Sequence, residues 1–251
     1  MFTMQVFLKI INNSETVPLQ LPKELLKDNT NDSGKDSHAK KSKDHKDGSD
    51  RLREYSKLIN AVRNNINKNK LYLCMDIEAY EQNQSILTEF GWCLFKRDGS
   101  ITKKKHAIVK ENMNYRNGKR VQDNRDHYLF GESETQELKV IEEELKSDIE
   151  KVEYIVGHGV SNDIRYLKSI GINIDKFICM KGSKVEKHGV IDTMDLYAGF
   201  FRTQGVSLEK SLIKLQIPFD KLHNAGNYYY LLFIIIIYYY LLLLFSQMII
   251  N

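Results

Sequence analysis

The chain of 251 residues has few cysteines and no strong charge of one sign. Cys74, Cys93 and Cys179 lie far apart, which excludes closely spaced zinc ligands, and the first two fall in apolar runs typical of buried, reduced thiols. The 37 basic and 33 acidic residues give a net charge of +4, which excludes the strong basic excess of a nucleic-acid coat protein. The amino terminus also lacks the basic region of a secretory signal. A cytoplasmic or nuclear protein fits these absences.

Composition divides the chain into four parts. Residues 1–26 form an N-terminal extension that carries apolar residues and two prolines. Residues 27–51 are almost wholly polar, with alternating lysine and aspartate, and a disordered charged linker is expected because such a segment has nothing to bury. Residues 52–227 have the patterning of a folded domain. Residues 228–251 form an apolar, low-complexity tail.

Hydrophobic periodicity within the domain alternates between helix and strand. Helical spacing predicts helices over residues 52–66, 133–150, 161–170, 195–201 and 207–215, with Ser133 as the cap of the second. Apolar runs predict strands over residues 71–75, 86–95, 101–109, 152–156 and 189–191. Residues 97–100, Arg-Asp-Gly-Ser, have the composition of a hairpin turn between the second and third strands. Strands followed by alternating helix and strand predict an α/β domain, a mixed sheet flanked by helices.

Three carboxylates in this pattern suggest a metal site. Asp76 and Glu78 are two residues apart at the end of a strand, so both side chains project from one face of the sheet. Asp163, on the helix after Gly157-His158, is a candidate third ligand. Hard divalent cations prefer such oxygen ligands, and carboxylates held together repel unless a cation lies between them. His223 is a candidate base for deprotonating an attacking water.

Each of these motifs is weak when taken alone. With 33 acidic residues in 251, about four acid-x-acid triplets are expected by chance. A lone His158 is more simply a hydrogen-bonded core residue, and Asp192-Thr193 after a strand is more simply a turn or a helix cap. The order and context of the whole set are what favour a functional site.

The complete set resembles the DEDDh class of 3′–5′ exonucleases in the ribonuclease-H-like superfamily. The resemblance rests on Asp76-Ile77-Glu78, on Asp163 behind Gly157-His158, and on His223. The sequence around these residues is similar to that of a fungal branch of the class, which has been linked to mRNA export. The segments that carry it are MDIEAYEQNQSILTEFGWCLF, FGES, IVGHGVSNDIRYL, VIDTMDLY and LHNAGN.

The resemblance implies a ribonuclease-H-like sheet, two magnesium or manganese ions held by Asp76, Glu78 and Asp163, and single-stranded RNA or DNA as substrate. His223 would act as the catalytic base, and no nucleotide cofactor is implied. The sequence contains no indication of the oligomeric state. Two metal ions about 4 Å apart can stabilise the attacking and leaving oxygens of phosphodiester cleavage.

Basic and aromatic residues between the third strand and the next helix are candidate substrate contacts. The pattern suits contact with phosphates and stacking on bases, while a solvated polar flap is an equally simple explanation. The candidates are Lys103, Lys104, Lys105, Tyr115, Arg116 and Arg120.

The pattern breaks at position 228, where the family has an aspartate and this chain has Tyr228. A phenol with an ordinary pKa near 10 cannot supply an anionic oxygen at neutral pH. Loss of a metal carboxylate weakens metal binding and activity severely. The chain as written is therefore expected to be inactive.

Three hypotheses account for the tail. Residues 228–245 are six Tyr, six Leu, four Ile and two Phe, just long enough for a tail anchor in a membrane. All four residue types, like asparagine, have codons made only of A and T, and no Ala, Gly, Val, Pro, Arg or Asp follows Asn227. The second and favoured hypothesis is therefore a translated AT-rich intron, whose splice donor would lie in the Gly226-Asn227 codons. The third is a genuine pseudo-nuclease that binds single strands without cutting them.

Overall fold

A computed structural model describes residues 57–59, 61–62, 70–180 and 187–250, with side chains described to residue 239 in the last helix. The predicted extension over residues 1–26 and the predicted linker over residues 27–51 lie outside the described residues. In the predicted helix over residues 52–66, the described positions are helical and Leu58, Ala61 and Val62 are buried.

The described strands form one mixed sheet of seven strands in the order β4-β3-β2-β1-β5-β7-β6. Strand β2 runs antiparallel to both of its neighbours, and all other pairs are parallel. The strands are β1 Leu71–Tyr80, β2 Asn83–Lys96, β3 Ile101–Val109, β4 Glu134–Gln136, β5 Tyr154–Gly157, β6 Ile178–Cys179 and β7 Gly189–Asp192.

Five longer helices and one 3-10 turn accompany this sheet in the described residues. The predicted α/β architecture, a mixed sheet flanked by helices, is confirmed. The 3-10 turn spans Lys110–Asn112, and the helices are α1 Leu138–Lys151, α2 Ser161–Ser169, α3 Thr193–Phe201, α4 Leu208–Leu215 and α5 Ala225–Ile250.

Local signals located most of these elements correctly. Strand β3 has the predicted bounds, and the hairpin before it closes with Gly99 in the left-handed region at φ 81°. Asp192 caps α3 by accepting a hydrogen bond from the Met194 amide at 2.9 Å. Cys74 and Cys93 are buried and unpaired, as predicted, while Cys179 is exposed.

The predicted start of the second helix at Ser133 is wrong. Helix α1 begins at Leu138, and the preceding residues form β4, which pairs with β3. The Ser133 hydroxyl lies 2.8 Å from Nδ1 of His106 rather than on a helix amide. Pairing with the sheet edge satisfies the backbone groups of residues 134–136, so the chain enters the helix one turn later than its composition suggests.

The two faces of the sheet pack against different helices. Trp92 of β2 points to the α1 face, where its indole donates to Asp148 at 2.9 Å. Phe95, an odd number of residues along the same strand, points to the opposite face and packs edge-to-face on Phe233 of α5 at 5.2 Å. Gly91 permits the close approach of α5, because a Cβ there would lie 2.1 Å from the carbonyl oxygen of Ala225.

Helix α5 runs through position 228 without a break. Every residue from 231 to 239 is buried. Over the residues whose side chains are described, which end at 239 in this helix, no helix is long and apolar enough to cross a membrane. The predicted domain boundary at 227 and the origin of the tail stay predictions.

Candidate active site

Two of the three predicted carboxylates stand side by side on β1. In the register with β2, Asp76 lies opposite Gly91 and Glu78 lies opposite Glu89. Because alternate residues of a strand share a face, both carboxylates project toward the start of α5, where Gly91 meets Ala225.

Asp163 completes a group of three from the first turn of α2. Its Oδ1 accepts a hydrogen bond from the backbone amide of Ile77 at 3.0 Å, which fastens the helix against β1 between the other two carboxylates. The three acids border a cavity of about 200 Å³, whose wall also carries amide and hydroxyl groups of Gln84, Asn117, Asn162 and Tyr166. The structure therefore brings together the three carboxylates that the sequence singled out.

Burial and nearby negative charges raise the pKa values of all three acids. Burial is the main cause at Asp76, whose pKa lies well above its ordinary value, with further increases from the charges of Glu78 and Asp163. Burial and then the charge of Glu89 raise the pKa of Glu78 to about 8. Burial raises the pKa of Asp163 to about 7. Three full negative charges at neutral pH thus require a positive charge among them.

The donor chemistry of this group fits a divalent cation. Oδ2 of Asp76 is buried and has no hydrogen-bond partner among the described residues. An unsatisfied carboxylate oxygen below the surface costs about 1–3 kcal/mol or more, which a cation would offset. In the described part of the chain, no three His, Cys, Asp or Glu side chains already converge as a metal-binding group. One oxygen of Asp163 already accepts a hydrogen bond from the Ile77 amide. The same carboxylate would therefore have to bind this amide and the ion together.

Tyr228 stands beside these carboxylates and against His223. Its hydroxyl lies 3.3 Å from Nδ1 of His223. Burial raises the pKa of Tyr228 well above its ordinary value, and the charges of Asp76 and Glu78 add to the increase. The tyrosine is therefore a neutral phenol within electrostatic range of the acids, at the position where the resemblance calls for an aspartate.

His223 does not line the cavity itself. It has a left-handed backbone, φ 62°, and is half-buried beside the Tyr228 ring. Burial lowers the pKa of His223, so its imidazole is neutral near pH 7 and able to accept a proton. The role of His223 as a base stays a prediction.

His158 and Asp192 have structural partners, as the simpler interpretation of each predicted. The two ring nitrogens of His158 lie 2.9 Å from Thr193 Oγ1 and 2.8 Å from the carbonyl oxygen of Val206. Asp192 accepts backbone hydrogen bonds from Gly159 and Val160 in addition to its cap on α3. These contacts hold the loop that leads into α2.

The three predicted lysines of β3 divide between the two faces of the sheet. Lys103 and Lys105 project to the α1 face, away from Asp76, and form ion pairs with Asp148 at 2.6 Å and with Glu134 at 2.7 Å. Lys104 projects to the other face and donates to the carbonyl oxygen of Phe130 at 2.9 Å. Their role as substrate contacts stays a prediction.

Tyr115, Arg116 and Arg120 lie nearer to the cavity. The Tyr115 ring packs on Tyr80 at 5.4 Å, beyond the end of the carboxylate pair. Arg116 is held in ion pairs by Asp123 and Asp126 at 2.5 and 2.8 Å. Arg120 is exposed, and its neighbours Asn117 and Val121 line the cavity.

Sequence reasoning missed the residues that hold α5 in place. Asn224 caps the helix by accepting from the Asn227 amide, and its own amide group donates to the carbonyl oxygens of Asn124 and Arg125 at 3.0 and 2.9 Å. Buried Asn227 likewise bridges to Leu129 and His127. The signal was present in LHNAGN, since asparagine is among the residues preferred at the start of a helix.

A second unpredicted feature lies behind Glu78. Glu89 is buried, and its Oε2 lies 3.1 Å from Nε2 of His106 and 3.3 Å from the amide of Ala225. This acid faces the site from β2 and raises the pKa of Glu78. Its position inside the apolar run ILTEFGWCLF was the available signal, because an ionisable residue is rarely buried without a partner.

Comparison with known proteins shows a match over residues 71–237, more than half of the chain, to the family described as DNA polymerase III subunit epsilon-like, C-terminal domain, DEDDh_C. The chain is 31% identical over 206 residues to "Good for full DBP5 activity protein 2" of Saccharomyces cerevisiae, covering 70% of this chain and 36% of that protein. It is 33% identical over 165 residues to the Schizosaccharomyces pombe "Uncharacterized nucleolar protein C2C4.08", covering 62% and 63%. A third relative, "Uncharacterized protein YDR514C" of Saccharomyces cerevisiae, is 31% identical over 180 residues, covering 61% and 37%.

The chain thus spans between 36% and 63% of the length of these three relatives. The family match begins at the first residue of β1, includes all three carboxylates and His223, and continues into α5. The chain belongs to the DEDDh exonuclease-like family of epsilon-type C-terminal domains.

Proposed function

We propose that this chain is a nucleic-acid-binding protein of the DEDDh 3′–5′ exonuclease type, whose site is built for hydrolysis of single-stranded RNA or DNA. We further propose that the chain as written binds such strands and cleaves them poorly. Family membership, the cavity bordered by Asp76, Glu78 and Asp163, and the unsatisfied Asp76 oxygen support the first part. The second part depends on Tyr228.

In this proposal Asp76, Glu78 and Asp163 would hold Mg²⁺ or Mn²⁺. Such ions, when bound, polarise the phosphodiester and neutralise the carboxylates. The protein supplies the positions of the three acids through β1 and the Ile77 amide, and it supplies a neutral imidazole at His223 as the proton acceptor for a water.

The observation that carries the proposal of poor cleavage is the place of the Tyr228 hydroxyl. It lies 3.3 Å from the one His223 nitrogen that faces it, within range of Asp76 and Glu78. A neutral phenol there supplies no negative charge to a cation and ties up the proposed base. Both effects reduce hydrolysis while leaving the surfaces that contact a nucleic acid in place.

Restoring the acid tests this proposal. The full chain and its Tyr228→Asp variant would be mixed with a 5′-labelled single-stranded oligonucleotide, with Mn²⁺ or Mg²⁺ or with chelator. We expect the parent to bind with little cleavage, and Tyr228→Asp to raise metal-dependent shortening from the 3′ end by about 100-fold. Calorimetric titration with Mn²⁺ should show tighter binding to the variant.

Two matched variants make the result specific. Tyr228→Phe removes the hydroxyl without adding a carboxylate, and we expect no gain in cleavage. Tyr228→Asp combined with Asp76→Asn should lose the gain. If Tyr228→Asp binds the oligonucleotide and stays inactive with either metal, the enzyme proposal is wrong and a non-catalytic single-strand-binding protein is the better conclusion.

The relative named as nucleolar supports a nuclear rather than a cytoplasmic location for either form.

A further inference from the structure

Glu81 makes an unusual set of contacts with a loop that crosses the mouth of the cavity. Its Oε1 accepts a hydrogen bond from the Lys119 amide at 2.9 Å, and its Oε2 accepts from the amides of Arg120 and Val121 at 2.8 and 3.0 Å. Hydrogen bonds from backbone amides to a carboxylate are among the stronger ones in proteins. One side chain at the end of β1 thus orients three consecutive peptide units.

Asn117 fastens the same loop from its other end. Its Oδ1 accepts from the Glu81 amide at 2.9 Å, and its Nδ2 donates to the carbonyl oxygen of Ala79 at 3.3 Å. The loop of residues 117–121 is therefore tied to the residues that directly follow Glu78. Glu81, Asn117 and Val121 all line the cavity.

The loop presents two exposed basic side chains. Lys119 and Arg120 are exposed, and neither forms an ion pair with the described residues. By contrast, the nearby Arg116 is paired with two aspartates, and Lys103 and Lys105 are paired on the far face of the sheet. Unpaired cations release more favourable energy on meeting a phosphate, because no existing ion pair must be broken.

We infer that Glu81 is a positioning residue that holds the loop 117–121 so that Lys119 and Arg120 contact the phosphates of a single strand entering the carboxylate cavity. This inference rests on the proposed function and assigns the backbone contacts to this loop rather than to the β3 lysines. Glu81 acts on the strand through this loop.

A simple turn cap is the alternative role for Glu81, and Asp98 is a matched control for it. Asp98 also holds a turn, accepting from the amide and hydroxyl of Ser100 at 2.9 and 2.6 Å. That turn joins β2 to β3 at the opposite end of β1 from the carboxylates. A cap without a binding role should behave like Asp98.

Binding measured against salt tests the inference. Anisotropy of a labelled single-stranded oligonucleotide would be followed with the full chain and its variants, with chelator present, between about 50 and 300 mM salt. Each phosphate contact that is lost makes the slope of log K against log salt shallower by about 0.7. We expect Glu81→Ala to weaken binding about 5- to 10-fold and to flatten the slope by about 1.4, the value for two lost contacts. Lys119→Ala/Arg120→Ala should do the same, and Asp98→Ala should match the parent.

Combining the variants gives the decisive comparison. If Glu81 acts through the two cations, Glu81→Ala should weaken binding little further in a protein that already carries Lys119→Ala/Arg120→Ala. The reason is that both changes remove the same contacts with phosphate. Glu81→Gln, which keeps the shape and one acceptor oxygen, should fall between parent and Glu81→Ala and serves if Glu81→Ala does not fold. An unchanged slope or a fully additive effect overturns the inference. Failure of the parent to bind any single strand overturns the proposed function and this inference together, whereas a binding parent with an unaffected Glu81→Ala overturns this inference only.

Discussion

Asp148 and Asp76 are both acids below the protein surface, and their neighbours shift their pKa values in opposite directions. Burial raises the pKa of Asp76, and nearby acids add to the increase. Burial alone would also raise the pKa of Asp148, but hydrogen bonds from Lys103, Lys151 and Trp92 outweigh it and lower the pKa. The first environment favours binding of a cation, whereas the second already contains its own cations.

This difference predicts how Asp148 contributes to stability. Its pKa in the folded protein lies below the ordinary value of 3.8, so its contribution is present above that pH and is lost as pH falls through the lowered pKa. We expect Asp148→Asn to lower the free energy of unfolding by about 1–3 kcal/mol at pH 7, because the amide keeps the Trp92 contact and loses the charge. Urea unfolding from pH 7 to pH 2 should show a smaller acid-induced loss in the variant than in the parent.

Glu144→Gln on the same helix is the control. Glu144 pairs with Lys105 at 3.3 Å and is about one-third exposed, with a side-chain exposure of 32%. Ion pairs at such partly exposed positions contribute under about 1 kcal/mol. An equal loss of stability in the two variants would contradict the buried role of Asp148.

Helix α5 shows how one element can depend on a close backbone contact. Its first turn lies on Gly91 of β2, and a Cβ at Gly226 would lie 2.5 Å from the ring of Tyr128. Phe233, one to two turns later, packs on Phe95. The apolar character of the helix on all sides matches its burial, since residues 231–239 have no exposed member.

Substitution of Gly91 tests this packing. A Cβ in Gly91→Ala would lie 2.1 Å from the Ala225 carbonyl oxygen, so the helix would have to move. We expect a loss of about 3 kcal/mol or more in the free energy of unfolding. In Gly131→Ala the new Cβ meets the movable ring of Tyr128 at 3.0 Å, and the cost should be smaller. Similar costs for the two variants would mean that α5 does not lie against β2 as described.

The whole molecule assembles its candidate site from three distant segments. Parallel pairing of β1 with β5 brings the start of α2, and with it Asp163, to the end of β1. The Asn224 and Asn227 side chains donate hydrogen bonds to backbone carbonyl oxygens of residues 125 and 127, and these contacts bring His223 and Tyr228 to the same place. The last contributor is therefore the start of α5, the element in which the family pattern breaks.

The hypothesis of a translated intron makes a prediction at this scale. Transcript reads across the codons of residues 226–251 should contain a splice junction within the Gly226-Asn227 codons, and the spliced product should place an aspartate at position 228. The physical reason to expect that residue is that a cation held by the unsatisfied Asp76 oxygen needs anionic ligands, and a neutral Tyr228 supplies none. Abundant reads that run through the segment without a junction would show that the apolar helix is part of the protein.

Local sequence determined the character of each element. The continuous burial of residues 72–75 on β1, the Asp-Gly turn before β3 and the cap at Asp192 follow from the apolar run and from turn chemistry, which act over a few residues. The carboxylates were recognisable only as a set, because each motif alone is weak and it is their order and context that favour a site. The start of α1 was mistaken because the pairing of β4 with β3 is a long-range contact with no local signal.

What the tertiary structure decided is which side chains meet. The alternation of β3 separated Lys103 and Lys105 from the face that carries Asp76, and their pairing with α1 depends on how that helix packs. The contact of Tyr228 with His223, and the hold of Glu81 on the loop 117–121, join residues whose partners no spacing rule predicts. The sequence by itself determined which residue types are available for chemistry. The tertiary structure decided their pKa values and their hydrogen-bond and ion-pair partners, since both depend on burial and on neighbours distant along the chain.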